Sequence, residues 1–273
     1  MDTLSKIKHI ICVASGKGGV GKSTTTINLA LALQQQGYKV GLLDADIYGP
    51  SQPMMLGVRV GTRPRIIDKQ YMEPVVAHGI ESNSMGYLVE DSTAMIWRAP
   101  MIVGAFNQML RFTLWSELDF LLIDMPPGTG DIQLSLSQSV SLTGAVVVTT
   151  PQDVALLDAR KGIEMFRKVN VPILGVVENM SIHICSRCGH EEAIFGTGGG
   201  EQLARDYGVS VIGSLPLDLN IREHADSGRP ILAEQPQGAI AQSYHELARR
   251  LMAEVARQDG ASDDGPQISV SDD

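Results

Sequence analysis

The stretch Gly16-Lys17-Gly18-Gly19-Val20-Gly21-Lys22-Ser23-Thr24 decides how the rest of the chain is read. It meets in full the spacing G-x-x-x-x-G-K-[ST] of a phosphate-binding loop. An apolar run, His9-Ile10-Ile11-Cys12-Val13-Ala14, stands before it and reads as a short buried strand. Thr25 to Gln36, rich in Ala, Leu and Gln, follows it and reads as a helix. Strand, loop and helix in that order are the context such a loop needs. The glycines let consecutive backbone N–H groups turn inward around a polyphosphate, and the helix aims its positive end at the same anion. Lys22 is placed to reach the β- and γ-phosphates, and the Ser23 hydroxyl to ligate Mg²⁺. A glycine-rich turn without a ligand is the alternative, and the full match in the right context weighs against it.

Outward from this loop, strand-like and helical runs alternate. Lys39 to Asp44 reads as a buried strand that ends in an acid, followed by the loop Ala45 to Ser51. Val75, Val76 and Ile80 to Met85 indicate short strands, and Pro100 to Trp115 a helix. Leu118 to Asp124 is a second apolar run ending in Asp, the Walker-B pattern, before the Gly/Pro-punctuated loop Met125 to Asp131. Further strands are expected at Ala145 to Thr149, Ile173 to Val177 and Val209 to Leu215. Helices are expected at Val154 to Val169, Gly200 to Tyr207 and Ala239 to Arg257. Alternation of this kind implies an α/β fold: a doubly wound, mainly parallel sheet with helices on both faces. One domain over residues 1–257 is expected, with an acidic, disordered tail at 258–273.

The bulk numbers narrow the partners. The 273 residues are 44% hydrophobic and 19% charged, an ordinary globular balance, with a net charge of −9. Five negative charges fall between Asp259 and Asp273, a segment without Lys or Arg. An acidic chain lacks the basic field that nonspecific nucleic-acid binding needs. No apolar run is long enough to span a membrane, and Met1 to Lys6 lacks the apolar core of a secretory signal. Three cysteines make no disulfide framework, so a reducing, cytoplasmic setting is expected. Cys12, inside the first strand, reads as a small core residue.

Asp124 ends its strand where a Walker-B acid holds Mg²⁺, directly or through water. Gly128, lacking Cβ, permits a close backbone approach and is a candidate N–H donor to the γ-phosphate. Asp44 and Asp46 lie two apart in an extended segment and are expected to point the same way. Two carboxylates so placed are costly to bury together, unless one faces Mg²⁺ and the other the attacking water. The absence of an N-K-x-D motif favours ATP over GTP.

His183-Ile184-Cys185-Ser186-Arg187-Cys188-Gly189-His190 contains one C-x-x-C in a loop. The spacing lets two thiolates converge on one metal, yet zinc or an iron–sulfur cluster takes four ligands. A two-fold dimer could supply a second pair, His183 and His190 could complete a zinc site, or the thiols could be redox-active or idle. The run Gly196-x-Gly198-Gly199-Gly200 follows no strand and reads as a helix-start turn.

From about Ile7 to Arg250 the chain resembles the Mrp/ApbC family of iron–sulfur cluster carriers, within the deviant P-loop ATPases that include MinD- and ParA-like proteins. The matching blocks are the phosphate loop, Asp44 to Ser51, Ser84-Met85-Gly86, Trp97-Arg98-Ala99-Pro100-Met101 and Asp124 to Asp131. Asn179-Met180-Ser181, the C-x-x-C pair and Ile194-Phe195-Gly196 through Gly200 match as well. The resemblance implies a homodimer in which Lys17 crosses to the partner's nucleotide, as an arginine finger does. It implies that Asp46 positions or activates the hydrolytic water and that Asn179 hydrogen-bonds the adenine edge. It also implies that Cys185 and Cys188 of two protomers bridge a labile [4Fe–4S] cluster for delivery to apo-proteins; the acidic charge and the lack of a long apolar run leave neither nucleic acid nor membrane as an expected partner. Ala99 stands where the family usually has Gly, and the chain starts almost at its first strand, where many relatives carry a small extra domain. Three other readings remain: a MinD/ParA-like positioning ATPase, a zinc-binding regulatory ATPase, and a reductase like the nitrogenase iron protein. The last needs a cysteine after the Walker-B loop, and Met125 to Asp131 has none.

Overall fold

The computed structural model describes residues 3–88, 98–185 and 187–263. Trp97, Ser186 and the tail after Asp263 lie outside the described residues. Apolar runs that can be covered on both faces build the sheet. β1 (Ile7–Ala14) leads through the phosphate loop into α1 (Lys22–Gln35), and β2 (Val40–Asp44) leads into the short α2 (Gln52–Met55). A hairpin of β3 (Ile66–Ile67) and β4 (Tyr71–Met72) precedes β5 (Val75–Ala77) and β6 (Ile80–Ser84). Next come α3 (Ala99–Phe112), β7 (Leu118–Asp124), α4 (Asp131–Gln138), β8 (Gly144–Thr149), α5 (Asp153–Lys168) and β9 (Ile173–Glu178). A second hairpin, β10 (His183–Ile184) with β11 (Glu191–Glu192), hangs from the end of β9. The chain continues through α6 (Gly199–Tyr207), β12 (Val211–Ser214), α7 (Leu219–Asp226), α8 (Ile231–Glu234) and α9 (Ala239–Asp263).

The main sheet runs β12-β9-β8-β1-β7-β2-β6-β5. All neighbours in it are parallel except β5 against β6. Alternate residues of each central strand feed opposite cores. Ile11 and Val13 of β1, with Leu122 of β7, pack under α1 and α9 against Ile27, Leu31, Tyr244 and Leu247. Ile10 and Cys12, with Leu121 and Ile123, face the other way toward Phe106 and Leu110 of α3 and Phe166 of α5. This is the doubly wound architecture read from the sequence. Cys12 is a core residue, 1% exposed, and burial pushes its thiol pKa up.

Three local differences have physical causes. α1 begins at Lys22, three residues before the expected start, because Gly21 in the left-handed region (φ 80°) turns the loop straight into the helix. α4, α7 and α8 escaped the sequence reading; they are eight, eight and four residues long, too short for a clear 3.6-residue period. α9 runs past Arg257, its expected last residue, to Asp263; no proline falls between Ala239 and Asp263, so the helix propagates. Gly198 (φ 74°) caps α6, as expected of a helix-start turn. Among the described residues no helix is long and apolar enough to cross a membrane.

Candidate functional site

Parallel strands bring their C-terminal ends to one edge, where open α/β sheets hold ligands. At that edge Asp44 of β2 is in register with Asp124 of β7 on one side and Ser84 of β6 on the other. Both carboxylates are 0% exposed. Lys22, at the start of α1, donates from Nζ to Asp124 Oδ1 at 2.5 Å and to Ser23 Oγ at 3.1 Å. Thr26, one helical turn on, donates to the same Asp124 oxygen at 3.2 Å. Gln52 of α2 donates from Nε2 to Asp124 Oδ2 at 2.8 Å and to the Ser23 carbonyl at 3.0 Å. Asp44 accepts from the Asp46 N–H at 3.1 Å, the Gln52 N–H at 3.2 Å and the Ser84 hydroxyl at 3.0 Å.

The electrostatics follow from this packing. Burial, reinforced by the charge of Asp124, pushes the pKa of Asp44 up to about 7. Burial also raises that of Asp46 above the ordinary carboxylate range. Two fully buried carboxylates share one buried ammonium, so the pocket is short of positive charge. The donor set fits a nucleotide with a divalent cation: hard oxygens for the cation, loop N–H groups and Lys22 for the phosphates.

The phosphate cleft, about 160 Å³, is lined by Lys17, Lys22, Ser23, Thr24 and Asp46, with Gly18, Gly19 and Gly21 among its other walls. Asp46 therefore lines the cleft, whereas Asp44 is fully buried. Lys22 and Asp124 act electrostatically on both acids. β2 ends at Asp44, and the chain turns as the Asp46 N–H bonds back to the Asp44 carboxylate. Lys17 lines the cleft and forms no ion pair among the described residues. A larger cleft of about 870 Å³, between Pro53, Arg59, Tyr87 and Asp226, borders no residue of the phosphate loop.

Neighbouring elements clamp the loop at two glycines. A Cβ on Gly16 would lie 2.2 Å from the Asp158 backbone of α5, and one on Gly21 2.2 Å from Asn179 Nδ2. Asn179, at the end of β9, donates that nitrogen to the Val20 carbonyl at 2.8 Å. One amide N–H is thereby spent on the loop. The Gly128 N–H donates to the Ser15 carbonyl at 2.9 Å, so it is engaged within the protein instead of standing open for a γ-phosphate. Gln133 of α4 fixes the Walker-B loop, donating to Pro127 O at 2.6 Å and accepting from the Gly130 N–H at 3.0 Å.

The cysteine pair sits at the same sheet edge. β9 lies two strands from β1, ~10 Å across the sheet. The link from Asn179 is laddered: Ser181 N–H donates to Leu215 O at 2.9 Å, and Leu217 N–H to Ile182 O at 2.8 Å. The hairpin then closes through Cys185 N–H to His190 O at 2.9 Å and Gly189 N–H to Cys185 O at 2.8 Å. Cys185 is half-buried and Cys188 exposed. The Arg187 and Cys188 N–H groups, helped by the Cys188 thiol, turn onto the Cys185 sulfur and lower its pKa. His183 places Nδ1 3.1 Å from Leu217 O. No group of three or more metal-ligating side chains forms among the described residues, so neither histidine completes a site with the two thiols.

Sequence reasoning located Lys22, Ser23, Asp44, Asp124 and the cysteine pair, which it placed in a loop and not a hairpin, and it missed Thr26 and Gln52. Thr26 had a signal, since it lies four residues from Lys22 on one helix and so shares its face. Gln52 had none, because its helix is a single turn.

The family model for the NUBPL iron-transfer P-loop NTPases, in the ParA group, matches residues 6–252. The chain belongs to that family. It is 61% identical over 245 residues to the iron-sulfur cluster carrier protein of Pseudomonas fragi, covering 90% of this chain and 85% of that one. A nucleotide-binding protein from Archaeoglobus fulgidus, solved in complex with ADP, superposes with a TM-score of 0.76 at 38% identity, covering 89% of this chain and 94% of that one. The cell division ATPase MinD of Pyrococcus furiosus superposes with a TM-score of 0.68 at 25% identity, covering 90% and 99%. This family member therefore has the P-loop NTPase fold, with MinD- and ParA-like ATPases as its structural neighbours.

Proposed function

We propose that the chain is an ATP-binding, slowly hydrolysing iron–sulfur cluster carrier, working in the cytoplasm as a homodimer that passes a [4Fe–4S] cluster to apo-proteins. One observation carries the reading: the hairpin holds Cys185 half-buried with a lowered pKa and Cys188 exposed, and among the described residues no third metal-ligating side chain joins them. A cluster takes four cysteines, and a two-fold axis that brings two hairpins together supplies them. The Pseudomonas fragi relative is named for this cargo, and the Archaeoglobus fulgidus relative holds ADP. Both support the assignment.

At the nucleotide site Gly16 to Thr24 would cradle the phosphates, with Lys22 leaving Asp124 to reach them. Ser23, Asp44 and Asp124 would hold Mg²⁺, whose charge offsets that of the phosphates. Asp46, at the cleft and with a raised pKa, would orient the attacking water. Lys17 would reach the partner's nucleotide, and Asn179 would keep its remaining amide capacity for the adenine. Hydrolysis would then act as a switch: Asn179 touches the phosphate loop through Val20, and the same strand end carries the cysteine hairpin.

The test is anaerobic reconstitution with iron and sulfide. Wild-type protein is expected to retain a cluster, while Cys185→Ala and Cys188→Ala retain none and still bind ATP. Cluster retention by either variant, or stoichiometric zinc in place of iron in protein purified without oxygen, would remove the proposal.

A further inference from the structure

Two buried side-chain oxygens have no hydrogen-bond partner among the described residues, Asn28 Oδ1 and Gln52 Oε1. Asn28 lies within α1, whereas Gln52 stands among the residues that would hold a cation. Its side chain is 0% exposed. Its amide orientation is fixed by chemistry: the end that meets the Ser23 carbonyl and the Asp124 carboxylate faces two acceptors, so it must be the nitrogen. Its backbone N–H, meanwhile, donates to Asp44 Oδ2. Gln52 thus touches all three candidate ligands Ser23, Asp44 and Asp124, and still leaves its own oxygen unpaired.

An orphaned amide oxygen in a dry site is costly, and an apolar side chain of similar length would avoid the cost. The arrangement makes sense when something with O–H donors arrives. Mg²⁺ gives up its waters reluctantly and usually keeps several in a nucleotide site, and each of those needs an acceptor. Asp124 Oδ1 already receives Lys22 and Thr26, so the carboxylate has one edge toward α1 and the other, Oδ2, on Gln52.

We propose that Gln52 is a positioning residue for the nucleotide-bound divalent cation. Its Nε2 holds the orientation of Asp124, and its Oε1 accepts a hydrogen bond from a water of the cation's shell. The proposal rests on the Mg·ATP reading of this site. It goes further by assigning a role to a residue that no motif marks.

The probe is Mn²⁺ with ADP on the full chain, wild type against Gln52→Met, with Gln52→Leu as the substitute if the first variant does not fold by circular dichroism. Mn²⁺ affinity of the ADP complex is read by electron paramagnetic resonance, and ADP affinity in EDTA by calorimetry. Outer-shell partners of metal ligands are worth about 10–100-fold in metal affinity, so a loss of about tenfold in Mn²⁺ affinity is expected, with ADP affinity in EDTA unchanged. A Mn²⁺ loss of fivefold or more confined to the cation supports the proposal. A smaller loss, or an equal loss of ADP affinity in EDTA, marks Gln52 as a structural tether only and overturns it. Failure of the wild-type chain to bind ADP at all would instead defeat the underlying reading of the phosphate site.

Discussion

The phosphate cleft and the cysteine hairpin share one edge of the sheet and are built on opposite plans. The first gathers ligands from α1, β2, α2 and β7 around two carboxylates with no solvent exposure, and each is held by several hydrogen bonds. The second is a two-by-two-residue hairpin with Cys185 half-buried and Cys188 exposed, and no third metal-ligating side chain joins the two thiols among the described residues. A site that must discriminate charge and exclude water gains from rigidity and burial. A site that must take up and release cargo gains from exposure. Under the proposed function this difference has a reason: the nucleotide is held mainly by one chain, with Lys17 added from the partner, whereas the cluster is shared equally by two.

The largest expected effect breaks the buried half of this comparison. Lys22→Ala should lower ATP turnover by at least about 100-fold. It also leaves Asp124 without its cation partner, at a cost of about 3–5 kcal/mol in a denaturant titration. Turnover within a few-fold of wild type would show that the cleft is not the hydrolytic site. The exposed half should behave differently. Cys188→Ala should abolish cluster retention while the thermal midpoint moves by no more than about 1 °C, since surface changes are worth within about 0.5 kcal/mol. A large drop in stability would mean that the hairpin is structural.

Asn179→Ala sharpens the link between the two regions. It removes the bond to the Val20 carbonyl and leaves that acceptor without its partner, so ATP affinity should fall about tenfold, about 1–2 kcal/mol. An unchanged affinity by calorimetry would mean that the loop does not depend on β9. The smallest effect is kinetic. In apo protein, iodoacetamide should label Cys185 at a lower pH than an ordinary thiol requires, because its lowered pKa keeps thiolate present as pH falls. Cys12, buried and with a raised pKa, should stay unlabelled until the chain unfolds. Mass mapping that finds Cys12 labelled first would reverse the assignment.

Much of this was legible in the residues. The apolar runs ending in Asp44 and Asp124 gave both strands and their acids, because a parallel strand buried on both faces leaves a continuous signature. The phosphate loop was legible for a similar reason, since its glycines and Lys22 answer to backbone geometry alone. What stayed hidden depends on tertiary contact. The turn that separates Asp46 from Asp44, the engagement of the Gly128 N–H by Ser15 and the approach of Gln52 to Asp124 are set by how β1, β2, α2 and β7 meet. None leaves a periodic trace along the chain. The reach of α9 to Asp263 was obscured by composition, because acidic, glycine-containing sequence reads as tail even where a helix carries on through it.

The most direct test of the whole account is native mass spectrometry of the chain after anaerobic reconstitution. A species of two chains carrying one [4Fe–4S] cluster is expected, and only apo protein when either cysteine is replaced. A single chain that carries the cluster or a metal by itself, or a dimer that never takes one up, would contradict it.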